Sequence, residues 1–105
     1  MPTQTPSVSY QQIRNYAERF DWIDRRSGEP QTGHNPPADA LKVVRHPFFV
    51  RYISGEGKVA EGMVTCIHVD ARRRMRRIRY VSSGEVRWVR DALIIAIDGT
   101  HFVTH

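Results

Sequence analysis

The sequence predicts a mainly β chain with one N-terminal helix: a small antiparallel barrel or roll of five or six strands. Three observations carry this. From Leu41 onward Val, Ile, Phe, Tyr and Thr dominate, with turn signals at short intervals. No gap after residue 47 is long enough for a crossover helix, so neighbouring strands must run antiparallel. Helical spacing of apolar residues is confined to a stretch ahead of this region. A meander of about 60 residues buries one face only by curling on itself.

Taken in order, residues 1–8 form a polar, Pro-containing tail with no anchor. Residues 9–24 read as an amphipathic helix, with Tyr10, Ile13, Ala17, Phe20 and Ile23 at three- and four-residue steps. Ser9 and Gln12 stand at capping-box spacing. Trp22 falls outside the stripe, and either widens it or contacts a partner. Residues 25–40 contain three Pro and two Gly and no aliphatic side chain larger than alanine, so they read as a linker or mobile loop.

Residues 41–105 then form the barrel domain. Gly55-Glu56-Gly57 separates strands near 47–54 and 58–69, and Asp70 to Arg74 makes the next connection. Ser82-Ser83-Gly84 separates 75–81 from 85–90. Asp91 marks a corner before the run 92–97, and Asp98-Gly99 is a two-residue hairpin signal before a last strand at 100–104. Phe48 and Phe49 must point to opposite faces, one of them into the core. The run 92–97 is apolar on both faces. Its second face needs a cover: the helix through Ile13, Ala17 and Phe20, or another protein chain.

This order of elements, a helix and then five or six short strands with a long second strand from Lys58 to Asp70, resembles the SH3-like and Sm-like small barrels. The resemblance covers residues 9–24 and 47–104 and implies fold alone. The Arg-Gly signature of the Sm family is replaced here by Val89-Arg90-Asp91-Ala92, and no aromatic ligand groove of the signalling SH3 kind has a matching motif.

Charge is distributed unevenly. The formal net charge is +5. Residues 1–41 hold four Arg and five acids, whereas residues 72–90 hold eight Arg and one acid, Glu85. One segment therefore carries the whole basic excess. With a three-residue Ser82-Ser83-Gly84 loop, Ile78, Tyr80, Val86 and Trp88 would form a core strip. Arg77, Arg79 and Arg87 would share the other face, with Arg79 directly opposite Arg87. A two-residue loop would mix Arg into both faces. Opposed like charges destabilise a ladder by roughly 0.2–1 kcal/mol, and an anion would relieve them. The planar fork of Arg matches phosphate with two bonds. Arg72, Arg73, Arg74, Arg76, Arg77, Arg79 and Arg87, with Arg90 at the rim, are therefore the candidate nucleic-acid contacts. Tyr52 is the candidate exposed aromatic, and Tyr80 and Trp88 are assigned to the core. Glu18, Asp21, Asp24, Glu61, Glu85 and Asp91 are the carboxylates able to neutralise part of this charge.

Other chemistry has less support. Cys66, His68 and Asp70 alternate along a strand, and His101 and His105 share a face on the last one, but the spacing matches no zinc motif and adjacent same-face positions are about 7 Å apart. No metal and no cofactor is therefore expected. No Gly-rich phosphate loop, HExxH or G-x-S-x-G is present, and the chain reads as non-enzymatic. The lone Cys66 excludes an internal disulfide, the opening lacks the features of a signal peptide, and no apolar run approaches the roughly 20 residues needed to span a bilayer. These point to a cytoplasmic protein.

Two functions follow as expectations. The first is a nucleic-acid-binding accessory domain that contacts DNA or RNA backbones with little sequence preference. The second is a protein-interaction or oligomerisation module, in which the N-terminal helix with Trp22 and the doubly apolar strand 92–97 with Ile94 bind a partner or a second copy; an acidic protein is the alternative ligand of the arginine patch.

Overall fold

The computed structural model describes residues 10–101. Its elements are a helix α1 (Tyr10–Ala17), strands β1 (Phe20–Ile23), β2 (Pro30–Gly33), β3 (Leu41–Arg45), β4 (Phe48–Ile53), β5 (Val59–Asp70), β6 (Met75–Tyr80) and β7 (Val86–Arg90), a single 3-10 turn at Asp91–Leu93, and strands β8 (Ile94–Ile97) and β9 (Thr100–His101). They form two antiparallel sheets, one in the order β2-β1-β3 and one in the order β7-β6-β5-β4-β8-β9. The fold is thus mainly β with one short helix. The expected barrel is not closed, because β7 and β9 are the two edges of the larger sheet. The tail at 1–8, the Ser9 cap, residues 102–104 of the expected last strand and His105 lie outside the described residues.

The helix is shorter than its periodicity implies. Residues 20–23 satisfy helical spacing through Phe20 and Ile23, but they also alternate, and as β1 they gain partners on both sides. Isolated short helices are marginal in water, so two ladders outweigh one further helical turn. The expected linker is likewise structured. Asp24 closes the β1–β2 turn: its Oδ2 accepts the Ser27 amide (3.1 Å) and hydroxyl (2.8 Å), and its carbonyl accepts the Gly28 amide. Pro30 opens β2, a sheet-edge position that tolerates proline. Gly33 lets β2 lie close to Trp22: a β-carbon there would stand 3.0 Å from the ring, and the indole would have to give way. Residues 41–45, assigned by sequence to the barrel, complete this smaller sheet as β3.

The core joins both ends of the larger sheet. Phe48, Val50 and Tyr52 of β4, Val64 and Cys66 of β5, Ile78, Val89, Ile94 and Ile97 pack together with Ile13 and Ala17 of α1. Val89 of β7 and Ile97 of β8 come from strands far apart in the sheet order, so the sheet curls around one core. The helix covers β8 within the same chain. Phe48 points in and Phe49 out, as adjacent strand positions must. At the β8–β9 turn Asp98 (φ 49°) and Gly99 (φ 83°) are both left-handed, as a tight hairpin of this type requires. Asp98 does more than turn the chain. Its Oδ1 accepts the Phe49 amide at 2.9 Å, and its Oδ2 takes Arg19 Nη2 at 3.0 Å, tying the turn to β4 and to the segment after the helix.

Candidate functional site

The arginine hairpin forms with a register that neither sequence option contains. The loop has four residues, 81–84: Tyr80 donates its amide to the Glu85 carbonyl, and Gly84, at φ 76°, donates to the Tyr80 carbonyl. Arg79 then opposes Val86, Ile78 opposes Arg87, Arg77 opposes Trp88, Arg76 opposes Val89 and Met75 opposes Arg90. A one-residue shift in pairing changes which side chains share a face. The predicted Arg79–Arg87 repulsion therefore does not exist. Trp88, assigned to the core, is 47% exposed, and Arg76, assigned to the surface, is 1% exposed.

Burial of Arg76 is supported from two directions. Its Nε donates to Asp91 Oδ1 at 2.9 Å, and its Nη1 pairs with Glu18 just beyond the helix. Asp91 is itself 4% exposed, so its role exceeds the corner that the sequence implies. Burial pushes the Asp91 carboxyl above its usual range, although the Arg76 charge pulls the other way. Burial works to lower the Arg76 pKa, but the Glu18 hydrogen bond and the Asp91 and Glu18 charges hold it raised. Arg76 is thus a structural cation that staples α1, β6 and the 3-10 turn. Sequence offers one signal for this, the presence of Glu18 and Asp91 among the carboxylates able to neutralise part of the arginine charge.

The outer face of the hairpin holds Arg77, Arg79, Val86, Trp88 and Arg90, flanked on β5 by Thr65 and His68. Arg77 lies over the Trp88 ring, 5.9 Å from its centroid, and the His68 ring meets Trp88 at 90° and 5.9 Å. Arg72, Arg77, Arg79 and Arg90 are exposed and form no ion pair among the described residues. Arg72, Arg73 and Arg74 occupy the β5–β6 turn, where Arg73 approaches Asp70 at 3.8 Å and the Arg74 carbonyl accepts the Asp91 amide. The turn therefore stands beside the end of β7 that carries Arg90.

Arg87 belongs elsewhere. It shares the inner face with Ile78 and pairs with Glu85 at 2.7 Å. There it borders a groove of about 510 Å³ with Tyr52, Tyr80, Ser54 and Glu56, whose rim Trp88 of the same edge strand also reaches. The Tyr52 and Tyr80 hydroxyls hydrogen-bond at 2.8 Å, and burial followed by that bond pushes the Tyr52 hydroxyl far above its ordinary pKa. Tyr52 is buried, whereas Trp88 and, more weakly, Phe49 are the exposed aromatics among the described residues.

The remaining candidates separate. A bulge between Cys66 and His68 breaks their alternation, so Cys66 turns into the core while His68 and Asp70 turn outward. The Cys66 thiol donates across the bulge to the His68 carbonyl at 3.7 Å, and burial pushes its pKa up. His101 pairs with Ala96 on β9. Among the described residues no group of three or more His, Cys, Asp or Glu is placed to hold a metal ion. Ile94, offered above as a partner contact, is buried in the chain's own core, and Trp22 is half-buried beside Gly33. No described helix is long and apolar enough to cross a membrane. Compared with known proteins, the chain matches no family model, and no curated protein or solved structure shows significant similarity to it.

Proposed function

We propose that this chain is a non-enzymatic nucleic-acid-binding accessory domain that grips phosphate backbones through the outer face of the β6–β7 hairpin and the adjoining β5–β6 turn. The observation that carries this reading is the set of exposed arginines with no carboxylate partner among the described residues, Arg72, Arg77, Arg79 and Arg90, along one hairpin and its adjoining turn. Arg73 and Arg74 add charge beside them. Each guanidinium that meets a phosphate releases condensed counterions, so affinity should fall linearly with salt on logarithmic axes. Arg76 and Arg87 are outside this set, the first buried in ion pairs and the second on the opposite face.

Fluorescence-anisotropy titration against labelled DNA and RNA over a salt series tests the reading. Replacing Arg77, Arg79 and Arg90 together by Gln should flatten the logarithmic salt slope by about one per lost contact and weaken binding to all sequences alike. Arg87→Gln should change the slope little. An unchanged slope in the triple variant, or no binding by the parent protein even at low salt, would sink the proposal.

A further inference from the structure

We infer that the hairpin face selects single-stranded nucleic acid, with Trp88 as the platform on which an unpaired base stacks; this rests on the reading above and specifies its ligand. Three features of the face point the same way. Trp88 is a large aromatic held among the arginines of a charged strip and is 47% exposed. Two neighbours hold it from the β6 and β5 side of the ladder, the Arg77 guanidinium 5.9 Å from its ring centroid and the His68 ring at 90° and 5.9 Å, and β7 is an edge strand, so its other flank is open. Contacts of this kind restrict the indole and so reduce the ordering cost that a ligand must meet. Arg77 faces Trp88 across the ladder, and Arg79 follows two residues along the same face, about 7 Å further on. A backbone tracking this strip meets successive guanidinium groups while a base lies against the indole.

A duplex cannot use this arrangement. Its bases are paired and stacked inside the helix, so it could reach the arginines but not offer a free base face to Trp88. A flexible single strand can do both, and stacking is tolerant of sequence because every base has a π face. The lack of any recognition helix in the described residues agrees with this, since the fold's one described helix has eight residues and packs on β8. The acidic groups nearest the strip are engaged locally, Asp70 with Arg73 and Glu85 with Arg87, so they do not cancel Arg77 or Arg79.

The test uses the full chain and four probes: one 15-nucleotide strand of mixed sequence and its duplex, each as DNA and as RNA. The single strand of at least one sugar type should bind tenfold or more tightly than its own duplex. Trp88→Ala should weaken single-strand binding roughly five- to hundredfold while leaving the salt slope intact, because stacking releases no counterions. Trp88→Phe should recover most of the loss. In a Trp22→Phe background, where Trp88 is the remaining tryptophan, single strand should quench its emission and duplex should not. Equal or tighter duplex binding with both sugars would overturn the inference, as would unchanged affinity in Trp88→Ala. In either case a salt slope that still depends on Arg77, Arg79 and Arg90 would leave the backbone-binding reading standing. Absence of binding by every probe would remove both.

Discussion

Arg76 offers a sharp test of how this fold is held together. Arg76→Met keeps most of the apolar stem but deletes the charge. The Asp91 carboxylate, 5% exposed, would then be buried without its cation, whereas Glu18, at 16%, retains some access to water. Breaking a buried pair by removing one partner typically costs about 3–5 kcal/mol. A limit follows from proton binding. Asp91 can escape its penalty by taking up a proton, which at pH 7 costs about 1.4 kcal/mol for each unit by which pH exceeds its unfolded value near 4. The electrostatic part of the loss is therefore capped near 4 kcal/mol at pH 7. In the variant the folded pKa of Asp91 lies above the unfolded one, so the folded state binds the extra proton. Its stability must fall as pH rises through that window. Relative to parent, whose own raised Asp91 pKa offsets part of the change, the deficit should shrink by up to about 3 kcal/mol between pH 7 and pH 5. Urea titration with linear extrapolation at both pH values measures this. If the variant is largely unfolded at pH 7, partial recovery at pH 5 gives the same information. Replacing the network as a unit, with Arg76→Met, Asp91→Leu and Glu18→Gln, should restore most of the stability. A loss under about 1 kcal/mol in Arg76→Met, or one that does not vary between pH 5 and pH 7, would refute the reasoning.

Two further outcomes follow from the packing and the charges. Gly62→Ala places a β-carbon 2.7 Å from the Tyr80 ring. It should displace Tyr80 from its hydroxyl bond with Tyr52 and cost about 1–3 kcal/mol in thermal or urea unfolding, and an unchanged midpoint would argue against that contact. Asp21 is opposed by burial, but hydrogen bonds from Thr32 and His46 hold its carboxyl below the ordinary value. Its contribution is present above the unfolded pKa and is lost as pH falls through the lower folded one. Asp21→Asn should therefore reduce stability at neutral pH and narrow its gap to parent in acid. A gap that stays constant down to about pH 2 would contradict this.

The antiparallel β character, the succession of turns from residue 55 onward, the opposite orientation of Phe48 and Phe49 and the Asp98-Gly99 hairpin were all legible from residue order. Each depends on interactions within a few residues, such as alternation, turn geometry or left-handed φ, and these local terms do not need the rest of the chain. The concentration of arginine between 72 and 90 was equally plain. What residue order left open was where each charge faces. Choosing the hairpin register by the cleanest apolar strip placed Trp88 inside, and counting every arginine of the segment as surface charge placed Arg76 outside although it alternates with Ile78. That rule treats arginine as a surface residue, and it fails where Glu18 and Asp91, 58 and 15 residues away, converge on one guanidinium. Likewise 20–23 and 30–33 carry weak or mixed local preferences, and become strands because β1 finds partners on both sides. Long-range pairing supplies the free energy in both cases, and no local pattern encodes a partner that distant. The exposed arginines around Trp88 are thus a product of the fold: the buried network withdraws Arg76, the four-residue loop turns Arg87 to the other face, and the indole remains outside among Arg77, Arg79 and Arg90.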